Sequence, residues 1–278
     1  MKIPFTGCTL MMTLAFLLTP AAQAAKDCAP GFQQVASNNS IVMLGGMARG
    51  PIKQFVLGEF GKDVNQQKRM IGEFDRCGTL KRADLRFDKQ EGKLQISLVQ
   101  SIEHVRDGWL SSYEMTVAEL GRGQPVVINE KRGTTHYQKG SRGNIISSSD
   151  TFVLNGEKGF TETTHHFDRQ SRLISSVARG SDSNSNGKFT YRWNKQNLLV
   201  ASDSEREKMT LEYDRDQREL RLSSRSDNAM SSMTTLEECQ LWDEQGNCTL
   251  SYTREMDVFP TGIIRRNITA AYRYEYWE

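Results

Sequence analysis

Six short stretches of this chain share one grammar, and that grammar restricts the possible folds more than any other feature. Tyr213–Leu220 (YDRDQREL), Phe74–Leu80 (FDRCGTL), Phe87–Leu94 (FDKQEGKL), Phe167–Leu173 (FDRQSRL), Trp193–Leu199 (WNKQNLL) and Trp242–Cys248 (WDEQGNC) each open on an aromatic residue. Asp or Asn follows, then polar residues, a turn-tolerant position and usually a Leu. Asp or Asn at the first corner of a turn accepts a hydrogen bond from the backbone two residues on, and Gly suits the left-handed position that closes it. Gly78, Gly92 and Gly246 stand at that place. A three-residue loop with a Gly bulge pairs Asp75 with Thr79 and sets Phe74 opposite Leu80. Each aromatic–Leu pair then shares a face and pins the register, contributing roughly 0.2–1 kcal/mol. One hairpin is marginal in water, whereas several side by side bury a common apolar face. The spacing is uneven, with extra residues at Glu91 and Glu219, so a strict solenoid is excluded. The expected fold is all-β: an antiparallel meander of successive β-hairpins, forming one large twisted or curved sheet or two packed sheets.

Residues 1–24 read as targeting sequence. Lys2 supplies the positive start, Leu10–Leu18 the apolar run, and Ala22-Gln23-Ala24 a small-residue cleavage site, so the processed chain is expected to begin at Ala25. Phe5-Thr6-Gly7-Cys8 resembles a lipoprotein box but precedes the apolar run instead of ending it. Residues 25–278 are expected to form a single β domain, with a possible subdivision at the loop-like Gly180–Gly187 (GSDSNSNG). Net charge is +2, mean hydropathy is −0.58, and charges of both signs are interspersed. No basic block tracks a phosphate backbone, which argues against nucleic acid as a partner. No later segment has the length and apolarity of a membrane-crossing helix.

Four cysteines follow the export segment: Cys28, Cys77, Cys239 and Cys248. In an exported chain they read as disulfides, and proximity favours Cys28 with Cys77 and Cys239 with Cys248. The hairpin register opposes Trp242 to Cys248, so joining Cys239 to Cys248 requires a bulge or a different loop.

Ile52–Phe60 reads as the first strand, entered through Gly50-Pro51, and that Pro rules out a phosphate-holding helix after the preceding glycines. Trp109–Leu120 fits a strand or a short helix. Val126-Val127-Ile128 reads as a buried strand, and Asn155-Gly156 as a two-residue hairpin turn. Ile263–Trp277 reads as a long strand with Ile268, Ala270, Tyr272, Tyr274 and Tyr276 on one side, paired inside the sheet.

Chemistry is thinly marked. Asp182, Asn184, Asn186 and Gly187 open like a calcium loop, but Trp193 stands where the bidentate Glu belongs. Adjacent His165 and His166 point to opposite faces of a strand and cannot chelate one ion together, so no metal and no cofactor are expected. Serines such as Ser147–Ser149 lack a nucleophile elbow, and no carboxylate pair stands out. Tyr272, Tyr274, Tyr276 and Trp277 form an aromatic row suited to core packing or to a binding surface for sugars, peptides or aromatic ligands.

At Arg49–Phe55 (RGPIKQF) and at Cys239–Cys248 (CQLWDEQGNC) the chain resembles the enterobacterial YnfC family of uncharacterised lipoproteins. The hairpin units between them are similar to the YD-type repeats of Rhs-like proteins, without the regular arginine–glycine framing. The first resemblance covers most of the chain after residue 24 loosely and is specific at those two places, and the lipoprotein box at the end of the export segment is missing. The family has no established activity, so the likeness implies architecture and compartment: a Gram-negative envelope protein, periplasmic. The expected function is accordingly a non-enzymatic binding or structural module, partnered by an envelope protein, glycan or lipid. The alternatives are a periplasmic hydrolase with His136, His165 or Asp168 in acid–base roles, and an outer-membrane β-barrel, suggested by export, the hairpins and the terminal aromatic strand. Against the barrel, Lys and Arg recur where lipid would lie.

Overall fold

The computed structural model describes residues 31–43, 48–183, 185–228 and 231–278. The expected export segment, Cys28 and Asn184 lie outside them. Helix α1 (Phe32–Met43) precedes sixteen antiparallel strands. These are β1 (Ile52–Gly61), β2 (Asn65–Phe74), β3 (Leu80–Glu91), β4 (Leu94–Val105), β5 (Gly108–Glu119), β6 (Val126–Lys139), β7 (Ile145–Leu154) and β8 (Glu157–Phe167). After them come β9 (Leu173–Gly180), β10 (Gly187–Trp193), β11 (Leu199–Asp203), β12 (Glu207–Tyr213), β13 (Glu219–Asp227), β14 (Ser232–Trp242), β15 (Cys248–Phe259) and β16 (Gly262–Tyr276). Each strand pairs with the next, and β16 also pairs with β1, Tyr272 opposite Leu57. The meander therefore closes into one barrel, neither the open sheet nor the two packed sheets that hairpin logic leaves open. A sixteen-strand meander has two long free edges, and joining them leaves none for another chain to pair with.

Five of the six repeats build one end of the barrel. At Asp75, Asp168, Asn194, Asp214 and Asp243 the backbone N–H bonds the carbonyl four residues on, and the N–H three residues on returns to the Asp or Asn carbonyl. The side-chain oxygen accepts the N–H four residues on at all five positions. The closing position takes positive φ in every copy, at Gly78, Ser171, Asn197, Gln217 and Gly246. Phe74 faces Leu80, Phe167 faces Leu173, Trp193 faces Leu199 and Trp242 faces Cys248. Two copies depart. Tyr213 meets Glu219, so Leu220 turns outward. Phe87–Leu94 is no copy at all, because Phe87 and Asp88 stay inside β3 and the reversal is the two-residue Gly92-Lys93 turn at the opposite end.

The aromatic heads also tie hairpin to hairpin. Trp193 Nε1 donates to Leu173 O at 2.7 Å, the Tyr213 hydroxyl to Leu199 O at 2.8 Å and Trp242 Nε1 to Glu219 O at 3.0 Å. Each acceptor is the first residue of the preceding hairpin's return strand. Trp109 Nε1 does the same to Leu80 O, at 2.8 Å.

Helix α1, which the repeat pattern does not foresee, lies in the mouth at this end. Its side chains bond the turns around it. Asn38 donates to Gly143 O and accepts from Ile145 N, Asn39 bridges Gly78 O and Leu80 N, Ser37 donates to Ser171 O, and Gln34 donates to Arg142 O. Below it Ile41 and Val42 join Phe74, Leu80, Ile102, Trp109, Ile145 and Leu173 in the apolar core. The core thus sits at the plugged end.

Two further expectations are corrected. Ser181–Asn186 does not divide the sheet, since β9 and β10 are hydrogen-bonded across it. Val126, Val127 and Ile128 are 62 %, 56 % and 52 % exposed, not buried. Pairing of β6 with β7 begins only at Lys131–Leu154, so the tip of β6 overhangs its neighbour. Trp109–Leu120 resolves as strand β5. The Cys239–Cys248 disulfide forms across two register irregularities in β14, the bulge that its geometry demanded. Cys77 is also disulfide-bonded.

Candidate functional site

Strand alternation sorts side chains into a wall face and a lumen face. On β3, Ala83, Leu85, Phe87 and Lys89 point inward, while Arg82, Asp84, Arg86 and Asp88 point outward. On β16, Arg266, Ile268, Ala270, Tyr272, Tyr274 and Tyr276 point inward. The lumen has an apolar sector on β1 to β5, including Leu57, Met70, Phe87, Leu98 and Met115, and a charged sector on β14 to β16. Side-chain hydrogen bonds and ion pairs between strand residues reach at most from β16 to β3, so among the described residues no polar contact ties opposite walls together.

The charged sector centres on Arg266, whose side chain is 4 % exposed. Its guanidinium grips Glu91 through two bonds of 2.7 Å and lies 3.6 Å from Glu255 and 3.8 Å from Asp257. The bond from Arg266 holds the Glu91 carboxyl below its ordinary range, while burial pushes Glu255 up.

Deeper toward the plug, Tyr272, Tyr274 and Tyr276 stack along β16 with ring centroids 6.5 and 6.4 Å apart. The Tyr272 hydroxyl donates to Glu237 at 3.2 Å, and the Tyr276 hydroxyl donates to Asp243 and accepts from Asn247 Nδ2. Burial pushes all three phenols upward, keeping them protonated. Facing this ladder, Glu219 is pushed up to about 7 by burial and by the nearby charge of Glu237. Trp277 leaves the row. It stands at the rim with Nε1 on Asp75 O and with Lys53 and Arg76 over its ring.

The residues of the hydrolase alternative are not brought together. His165 faces the lumen, with Nδ1 2.9 Å from Ser176 Oγ and Nε2 buried without a partner, and burial lowers its pKa to about 4. His136 faces outward beside Asp107 at 3.5 Å. Asp168 caps its turn and pairs with Arg172 at 2.7 Å. His166 points away from His165, as alternation requires. At the calcium-like loop, Asp182 binds Lys131 at 3.1 Å, and no metal-holding cluster occurs among the described residues.

Two segments far apart in sequence meet at the plugged rim. Arg49 N–H donates to Asn247 Oδ1 at 2.6 Å, and Asn247 Nδ2 returns a bond to Arg49 O at 2.9 Å. No family model and no curated protein matches the chain. Among solved structures it is similar to a porin-like protein from Bacteroides uniformis, at 11 % identity and a TM-score of 0.47, over 82 % of this chain and 99 % of that one.

Sequence reasoning missed α1 and the Arg266 cluster. The helix carries Val35, Ala36, Ile41 and Val42, but its polar Gln34, Ser37 and Asn38 are equally buried, so no apolar stripe announces it. Arg266 and Glu91 lie far apart in the chain and meet only because the barrel closes.

Proposed function

We propose that the protein is an envelope barrel that stands in water and binds an amphiphilic molecule in its lumen, as a non-enzymatic module. One observation carries this reading: the outer wall is charged at mid-height on strand after strand. Arg69, Arg86, Glu114, Arg132, Glu162 and Arg192 all face outward and are exposed. On β13 to β15, Arg221, Glu238 and Arg254 form an ion-pair row at 2.8 and 2.9 Å. A basic side chain on the lipid face at a bilayer midplane costs about 2–4 kcal/mol, and here such residues recur around the circumference. Inside, an apolar sector beside a charged one suits a ligand with a hydrocarbon part and a polar head. The likeness at Arg49–Phe55 and Cys239–Cys248 supports kinship with the YnfC family and an envelope address.

A second reading, the outer-membrane barrel, has the closed sixteen-strand topology in its favour. Purification of residues 25–278 separates the two. A water-standing barrel is monodisperse without detergent and takes up a fluorescent fatty acid or lysophospholipid. A membrane-spanning barrel aggregates until detergent is added.

A further inference from the structure

Every turn at the plugged end has at least one exposed side chain at its tip, and all but one of these turns expose a basic residue there, in places beside an acid such as Asp107 or Asp216. Arg106, Arg142, Arg169, Lys195 and Arg215 occupy five successive turns, from β4–β5 round to β12–β13, and all are exposed. The circle continues at the β1–β2–β3 rim, where Lys53, Arg76 and Lys81 surround Trp277 in a cleft of about 500 Å³. Among the described residues none of these eight cations sits in an ion pair. The acids of the same rim are largely engaged locally. Asp168 and Asp214 pair with Arg172 and Arg218 at 2.7 Å, Asp75 accepts the Cys77 and Thr79 N–H groups, and Glu275 pairs with Arg273. Within the cleft Glu73 and Asp75 have no ion-pair partner among the described residues, and of the two Asp75 is held by the N–H groups of its own turn. The circle breaks at the β14–β15 turn, where Asp243 and Glu244 stand.

Repetition makes this arrangement more than scatter. The turn geometry fixes Asp or Asn at the first corner, and the second corner points away from the barrel without a structural task. Four of the five repeat turns nevertheless place Arg or Lys there. Phe32, 63 % exposed, starts the helix on this end face beside the Arg142 turn.

We propose that the plugged end docks on an anionic phospholipid surface: the ring of turn-tip cations meets phosphate groups, and the Trp277 cleft, with Lys53, Arg76 and Lys81, seats one headgroup. Basic residues held close to an anionic leaflet each add attraction that fades within a Debye length, and an indole flanked by cations suits the headgroup zone. Docking of this kind leaves the wall in water and the opposite mouth facing away from the bilayer. It rests on the reading that the outer wall is not immersed in lipid.

The test is sedimentation of residues 25–278 with phosphatidylglycerol–phosphatidylethanolamine vesicles, against phosphatidylcholine vesicles as control. The expected result is binding to the anionic vesicles only, released by raised salt, and weakened at least about tenfold in Arg142→Glu/Lys195→Glu/Arg215→Glu and in Lys53→Glu/Lys81→Glu. Lys93→Glu/Lys158→Glu at the other end leaves it unchanged. Circular dichroism and intact Cys239–Cys248 confirm that each variant folds. Three outcomes overturn the proposal: equal binding by wild type and ring variants, binding of inorganic phosphate without sedimentation, or no binding by a well-behaved soluble protein. This last result leaves the water-standing barrel intact. Protein that resists both salt and carbonate extraction overturns the docking and the water-standing reading together.

Discussion

The two ends of the barrel are made differently. At the plugged end five turns repeat one hydrogen-bond pattern, aromatic heads reach across to the neighbouring hairpin, and a helix ties several turns together through Asn38, Asn39 and Ser37. At the other end the reversals differ in length and share no common hydrogen-bond pattern. Gly92-Lys93 and Asn155-Gly156 are two-residue turns, Gly121–Pro125 is a longer loop, and the tip of β6 overhangs with Val126–Ile128 exposed. The difference teaches that the register of the whole wall is set at one end. The other is free to vary in length and to admit a ligand.

Substitutions at the two ends should separate these roles. The largest loss is expected for Trp109→Ala. The indole is 1 % exposed and bonds Leu80 O, so truncation should cost about 4 kcal/mol in urea unfolding. At the open end Arg266→Ala should cost about 3 kcal/mol, because the buried guanidinium is the shared partner of the half-buried acids Glu91, Glu255 and Asp257. A larger loss there than for Trp109→Ala would invert the comparison. Asn38→Ala removes two bonds that join helix to barrel and should cost about 2 kcal/mol, with hydrogen exchange rising first at Gly143 and Ile145.

Gln217 has φ of 64° in a turn where Gly78 and Gly246 hold the same place. Gln217→Gly should therefore stabilise by about 0.5 kcal/mol, while Gly78→Gln destabilises, both read as shifts in the urea midpoint.

Stability should also vary with pH. Because the folded protein holds Glu219 near 7, above an unfolded carboxyl, its contribution is complete in acid and is lost as pH rises from about 4.5 through about 7. His165, lowered to about 4, works oppositely: its contribution is present above about 6.5 and lost as pH falls toward 4. Glu219→Gln should remove the alkaline loss and leave the acid limb. An unchanged profile of stability against pH would show that Glu219 titrates normally.

Much of the plugged end is legible in the sequence because its information is local. An aromatic, an Asp and a positive-φ position within seven residues dictate Phe74 against Leu80 and Phe167 against Leu173. The same register calls for a bulge or a different loop beside Cys239, and strand alternation puts Ile268–Tyr276 on one side, which is the inward one. What escaped is non-local. Nothing near Tyr272 says that its second partner is Leu57, so closure stood in the sequence only as the outer-membrane-barrel alternative. The tip of β6 looked buried because an apolar triplet reads alike whether a neighbouring strand covers it or stops short. Among candidate site residues, the tyrosines share a face as expected, while His136, His165 and Asp168 scatter because proximity in sequence space carries no shared chemistry.

The β1–β16 pairing also governs assembly. Its register joins residues at opposite ends of the strand sequence, the costliest loop to shut, so this seam should be the final one to zip during folding. Until then both borders of the ribbon are unprotected, and a second ribbon offers the same hydrogen-bonding partners as the first. Crowded refolding should therefore yield exchanged dimers joined at this seam, with every turn elsewhere in its native form.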